Sequence, residues 1–115
     1  MLAGPNISPD VKEELLQSMQ SIPSNTYTDA LRCFTHPTEV FDFSAIKMPV
    51  LLITGDSDKL APPAEIKQVA QRILNASPTP DVRYECLQHT GHVCNLESPT
   101  DYNAALIELV KRVLQ

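Results

Sequence analysis

The stretch Met48–Pro63, M-P-V-L-L-I-T-G-D-S-D-K-L-A-P-P, constrains the fold more than any other part of the chain. Val50–Ile53 is a short apolar run containing β-branched residues, introduced by Pro49 and ended by Gly55. Such a run predicts a strand buried on both faces, the habit of interior strands in parallel sheets. It empties into a loop carrying Asp56 and Asp58, and Pro62–Pro63 then opens a helix. Open α/β sheets keep their ligands outside the carboxyl ends of their strands, so a carboxylate in this loop stands where chemistry is expected.

The downstream residues extend the pattern. A helix is expected from Pro63 to about Asn75, with Ile66, Val69, Ala70 and Ile73 as its buried stripe. Ala76–Asp81 reads as a loop, and Val82–Leu87 alternates Val82, Tyr84 and Cys86 against Arg83 and Glu85, as a half-exposed strand does. Thr90-Gly91-His92 forms the next turn. Ser98-Pro99-Thr100-Asp101 then offers an N-cap, a first-turn proline and an acid three residues after the cap. The final helix is expected to turn Tyr102, Ala105, Leu106, Leu109, Val110 and Val113 inward.

Strand, helix and strand at this spacing make a βαβ unit, which implies parallel strands joined by a right-handed crossover. Parallel strands bring both carboxyl ends to one edge. The loop with Asp56 and Asp58 and the loop with His89 and His92 are therefore expected side by side. A carboxylate next to an imidazole supplies two of the three members of a nucleophilic triad. On strand proximity alone, Asp56 and Asp58 both compete for the acid.

Residues upstream of Pro49 carry no strand signal. Ser8-Pro9-Asp10 starts one helix, with Val11, Leu15, Met19 and Ile22 at near-helical spacing. A second runs from Ser24 or Asn25, with Tyr27, Ala30, Leu31 and Phe34 on one face, and stops at His36-Pro37. Thr38–Lys47 reads as a loop whose Val40, Phe41, Phe43 and Ile46 tuck onto an apolar surface.

A net charge of −5, with nine unclustered Lys and Arg, argues against a nucleic-acid surface. No apolar run reaches the roughly 18 residues of a membrane span, and Met1–Pro5 is too short for a signal peptide. Three cysteines cannot all pair with each other. Reduced thiols and a cytoplasmic location are the expectation.

Two signatures in order then resemble the C-terminal portion of an α/β-hydrolase of the lipase/esterase–lactonase type, with the 3-oxoadipate enol-lactonase-like group closest in flavour. The first is I-K-M-P-V-L-L-I-T-G-D-S-D-K-L-A-P-P, similar to that family's strand, G-x-x-D turn and helix start. The second is T-G-H-V-C-N-L-E-S-P-T-D-Y-N-A-A-L, similar to its G-H-x-x-x-L-E-x-P and following helix. Together they cover Ile46–Gln115; residues 1–45 resemble the family's helical lid only in being amphipathic. The resemblance implies that Asp58, three residues after Gly55, is the triad acid and His92 the base. It implies no cofactor and no metal, and a small ester or lactone-like substrate.

That family orders its triad nucleophile, acid, histidine, with the nucleophile on a G-x-S-x-G elbow. The three glycines here, Gly4, Gly55 and Gly91, form no such elbow. The expected architecture is therefore α/β and incomplete as a single domain: lid-type helices and connection over 1–45, then a βαβα portion of the hydrolase core over 46–115. The chain alone is expected to be inactive, needing the N-terminal part of the same enzyme or self-association. The alternative is a non-catalytic piece that pairs with another chain through an open sheet edge.

Three further patterns have competing readings. Asp-x-Asp after a strand is similar to the metal-binding loop of haloacid-dehalogenase-like phosphatases, but there the first Asp follows the strand directly, and here Thr54-Gly55 intervenes. Cys86, His89, His92 and Cys94 spell C-x-x-H-x-x-H-x-C; Cys86 lies on the inner side of a strand, which favours core over zinc. His36 and His89 are expected at the surface, and Cys33 and Cys94 as small buried hydrophobes.

Overall fold

The computed structural model describes residues 2–38 and 40–115. Met1, at the head of the short N-terminal segment, and Glu39, in the expected loop, lie outside the described residues. Two helices lead the chain: α1 (Pro9–Gln20), whose Ser8 hydroxyl accepts the Val11 N–H at 3.4 Å, and α2 (Ser24–Thr35). Then come a 3-10 turn (Phe43–Ala45), strand β1 (Val50–Gly55), helix α3 (Pro63–Ala76) and strand β2 (Val82–Leu87). A four-residue helix, α4 (Cys94–Glu97), precedes the last helix, α5 (Pro99–Val113). Helix α4 lies between the expected turn at Thr90-Gly91-His92 and the expected cap at Ser98, where no element is expected from the sequence.

The two strands pair in parallel, Val50 opposite Val82 through Gly55 opposite Leu87, as the βαβ spacing required. The ladder continues past the strands: Asp56 N–H donates to Leu87 O at 2.9 Å and Ser57 N–H to Thr90 O at 2.9 Å. Helix α3 packs on the sheet through Ala70 and Ile73, both buried, with Ile66 and Val69 half-buried beside them. In β2 the expected alternation holds, with Val82, Tyr84 and Cys86 half-buried and Arg83 and Glu85 exposed.

Several burial expectations fail for one shared reason: among the described residues the sheet has two strands, too narrow a surface to cover every apolar stripe. In β1 only Thr54 and Gly55 are buried, so Val50–Ile53 is not the doubly covered strand its composition suggests. On α5 the stripe Tyr102, Ala105, Leu109 and Arg112 is half-buried, whereas Leu106, Val110 and Val113 face solvent. No residue of α1 or α2 is buried; Met19, Tyr27, Leu31 and Phe34 are exposed. In the connecting loop Phe43 and Ile46 are half-buried, but Val40 and Phe41 stand out, 95% and 83% exposed. Cys33, expected inside, is exposed with the rest of α2. Ser98 does not cap α5, because its hydroxyl bonds Thr90 Oγ1 at 2.6 Å instead.

Candidate active site

The loops after β1 and β2 meet at the carboxyl edge of the sheet because the strands are parallel. Gly55 makes the meeting close. Its φ is not positive, so the turn does not demand a glycine; space does. A Cβ at position 55 would overlap the carbonyl oxygens of Thr90 and Gly91. Beyond it, Asp58 N–H closes a tight turn onto Gly55 O at 3.1 Å.

That turn aims the Asp58 carboxylate inward, where its side chain is only 4% exposed. Oδ1 accepts the backbone N–H groups of Leu60 and Ala61 at 2.9 and 3.0 Å. Oδ2 lies 3.0 Å from Nδ1 of His92. Burial pushes the Asp58 carboxyl upward, but hydrogen bonds from Ala61, His92 and Leu60 outweigh it and hold the group below its ordinary value. An ionised carboxylate can only accept, so His92 Nδ1 must carry the hydrogen and Nε2 is the free base. The imidazole is 42% exposed, and Nε2 has no hydrogen-bond partner among the described residues. The imidazole thus has its tautomer set and its second nitrogen unencumbered.

Asp56 is occupied differently. Its Oδ1 accepts the Thr90 N–H at 3.2 Å and the Ser57 hydroxyl at 2.9 Å. The backbone N–H of His89, opposed by partial burial and helped by Ser57 and Thr90, holds its carboxyl below the ordinary value. Asp56 thus ties the two loops together and leaves the imidazole to Asp58. His89, exposed, takes a positive φ of 52°, a conformation His tolerates better than most residues, and so turns the chain back toward Asp56. His36 is exposed, as expected. Cys94 is buried, its thiol pushed up mainly by burial and donating to Gly91 O at 3.3 Å. The described residues contain no group of three or more His, Cys, Asp or Glu able to hold a metal, so the C-x-x-H-x-x-H-x-C pattern does not converge.

Two components of the site escaped the sequence reading. Leu2–Asn6 lies along the histidine loop: Leu2 O accepts the His92 N–H at 2.8 Å, and Asn6 N–H donates to His89 O at 3.2 Å. An open recess of about 300 Å³ lies between this segment (Ala3, Gly4, Pro5) and Ser57 and Lys59 of the Asp58 turn. The second component is Glu97, buried beneath Gly91 and accepting its N–H at 3.0 Å. The contacts of Leu2–Asn6 leave no signal along the chain, since their partners lie more than eighty residues away, whereas Glu97 stands within the G-H-x-x-x-L-E-x-P signature, which assigned it no role.

The hydrogen bonds to Asp58 have a consequence for acid stability. A carboxyl whose folded value lies below its unfolded value, about 4, contributes fully above that unfolded value. The contribution is lost as pH falls through the folded value. Asp58→Asn is expected to flatten the acid limb of stability, measured as the urea midpoint at steps between about pH 7 and 3. An unchanged limb would show that Asp58 contributes nothing to it.

No protein-family model matches the chain, and no curated protein matches it significantly. Among solved structures it is similar to a serine hydrolase involved in carbazole degradation (the CarC enzyme), with a TM-score of 0.69 and 18% sequence identity. The match covers 96% of this chain and 43% of that one, so the chain spans less than half the length of its structural neighbour. At this identity the likeness shows the fold, which is of the α/β-hydrolase type. No helix among the described residues is long and apolar enough to cross a membrane.

Proposed function

We propose that this chain is the C-terminal portion of an α/β-fold hydrolase acting on an ester, lactone or related bond, and that it supplies the triad acid, Asp58, and the histidine, His92. The observation that carries this reading is the 3.0 Å contact between Asp58 Oδ2 and His92 Nδ1, with the other carboxylate oxygen held by two backbone N–H groups. A carboxylate fixed on one side and bonded to an imidazole on the other orients the ring and stabilises the imidazolium formed during turnover. His92 Nε2 takes the proton from a nucleophile and returns it to the leaving group. The nucleophile and the oxyanion-hole donors come from a segment upstream in the same enzyme, and residues 1–45 serve as lid and connection to the core over 46–115. The reading needs no cofactor. The structural neighbour, a serine hydrolase of more than twice the matched length, is consistent with it.

A second reading follows from the incomplete covering of β1, which leaves Val50–Ile53 half-exposed: a non-catalytic piece that associates with another chain through its sheet edge.

Complementation separates the two. The chain alone is expected to hydrolyse a small chromogenic ester no faster than buffer. Mixing or fusing it with an upstream α/β-hydrolase segment bearing G-x-S-x-G is expected to produce activity, and His92→Ala to abolish it. Association without activity, or activity indifferent to His92→Ala, favours the second reading.

A further inference from the structure

The backbone beneath His92 is held by a closed set of hydrogen bonds. Glu97 Oε2 accepts Gly91 N–H at 3.0 Å and Gly4 N–H at 2.7 Å. Two residues before Gly4, the Leu2 carbonyl accepts the His92 N–H at 2.8 Å. One carboxylate thus joins the residue before the imidazole to the segment that grips the imidazole's own amide.

Glu97 is 6% exposed, and its second oxygen, Oε1, is buried with no hydrogen-bond partner. A buried carboxylate is costly, and one satisfied on a single oxygen is costlier still.

Steric fit points the same way. A Cβ on Gly4 would come within 2.8 Å of Oε2, and one on Gly91 within 2.9 Å of Oε1. A Cβ on either would also overlap the backbone of the other's segment. Both glycines are therefore required for the carboxylate to reach the two amides. His92 itself, 42% exposed, gains little orientation from packing, so its direction comes from the Asp58 hydrogen bond and from the backbone that carries the ring to it. Errors near 1 Å at a reacting group can cost on the order of a hundredfold in rate.

We propose that Glu97 is a positioning residue for His92: by gripping the amides of Gly91 and Gly4 it sets the backbone from which the imidazole meets Asp58. The inference rests on the Asp58–His92 pair being the reactive pair. Its experiment reads the imidazole and not turnover, so this inference and the hydrolase reading can fail separately.

The tautomer of His92 is measured by imidazole ¹⁵N shifts in the full chain at about pH 8, above the ordinary histidine range. Wild type, Glu97→Gln, Glu97→Ala and Asp58→Asn are compared, with far-ultraviolet circular dichroism as the check on folding. Wild type and Glu97→Gln, which keeps an acceptor for both amides, are expected to favour Nδ1–H. Glu97→Ala is expected to lower the Nδ1–H to Nε2–H ratio about fivefold, toward the Asp58→Asn value. A folded Glu97→Ala chain with the wild-type ratio overturns the proposal, leaving Glu97 a structural link only. So does Glu97→Gln shifting the ratio as far as alanine does, because charge and not the grip would then be the cause. A wild-type chain without Nδ1–H preference overturns it as well. If Glu97→Ala does not fold, Glu97→Asp, one methylene too short to span both amides, is read in its place. An unchanged ratio there overturns the proposal equally.

Discussion

Asp58→Asn is expected to lower turnover of the complemented enzyme by on the order of 10³–10⁴-fold, with Asp56→Asn costing no more than about tenfold. The asymmetry follows from what each carboxylate touches. Asp58 Oδ1 accepts two backbone N–H groups, from Leu60 and Ala61, so an asparagine there keeps its carbonyl on that side. Its NH₂ group is then directed at His92 Nδ1, donor against donor. The ring escapes by moving its hydrogen to Nε2, the nitrogen that must be bare to take a proton. Asp56 bonds Thr90 N–H and the Ser57 hydroxyl, and the carbonyl of an asparagine can still accept from Thr90. The measurement is kcat for both variants in the complemented enzyme, with association confirmed. Equal losses, or a larger loss for Asp56→Asn, would mean that the wrong acid has been chosen.

Gly55→Ala is expected to cost ~3 kcal/mol or more and to leave the chain largely unfolded in water, although it adds one methyl group. The methyl would overlap two carbonyl oxygens, those of Thr90 and Gly91, and backbone cannot step aside as a side chain can. Relief requires the two loops to part. That would expose Thr90, fully buried, and break the Ser57–Thr90 and Asp56–Thr90 hydrogen bonds. A chain of this size has little stability in reserve. Because φ at Gly55 is not positive, the loss cannot be ascribed to backbone conformation. Urea unfolding followed by circular dichroism tests this, and a wild-type midpoint in Gly55→Ala would disprove the close approach.

Both expectations depend on how the chain meets itself, and that was only partly legible beforehand. Helix α3, with Ile66, Val69, Ala70 and Ile73 turned to the sheet, follows from its spacing, as does the alternation of β2. Parallel pairing followed from the length of the connection, and it brought the loops of Asp58 and His92 together. The errors lie in burial. Val40, Phe41, Cys33, Leu106, Val110 and Val113 are apolar enough to be inside and are exposed. An apolar stripe states what a surface could cover; whether a partner surface exists is not written in the stripe. Ser98 erred in another way, since the capping pattern is local and its hydroxyl went to Thr90, eight residues back.

What the sequence alone determined is what depends on neighbours a few residues apart: the four longer helices, the strands, their parallel order and hence the shared edge that carries Asp58 and His92. The tertiary structure decided the rest. It set Asp58, and not Asp56, against the His92 imidazole, showed that Gly55 serves close approach and not turn conformation, and placed Glu97 between Gly4 and Gly91, residues 87 positions apart. Periodicity and capping reflect forces that act within a turn or a pleat. Hydrogen bonds between distant segments depend on where packing sets those segments down, and no local pattern records that.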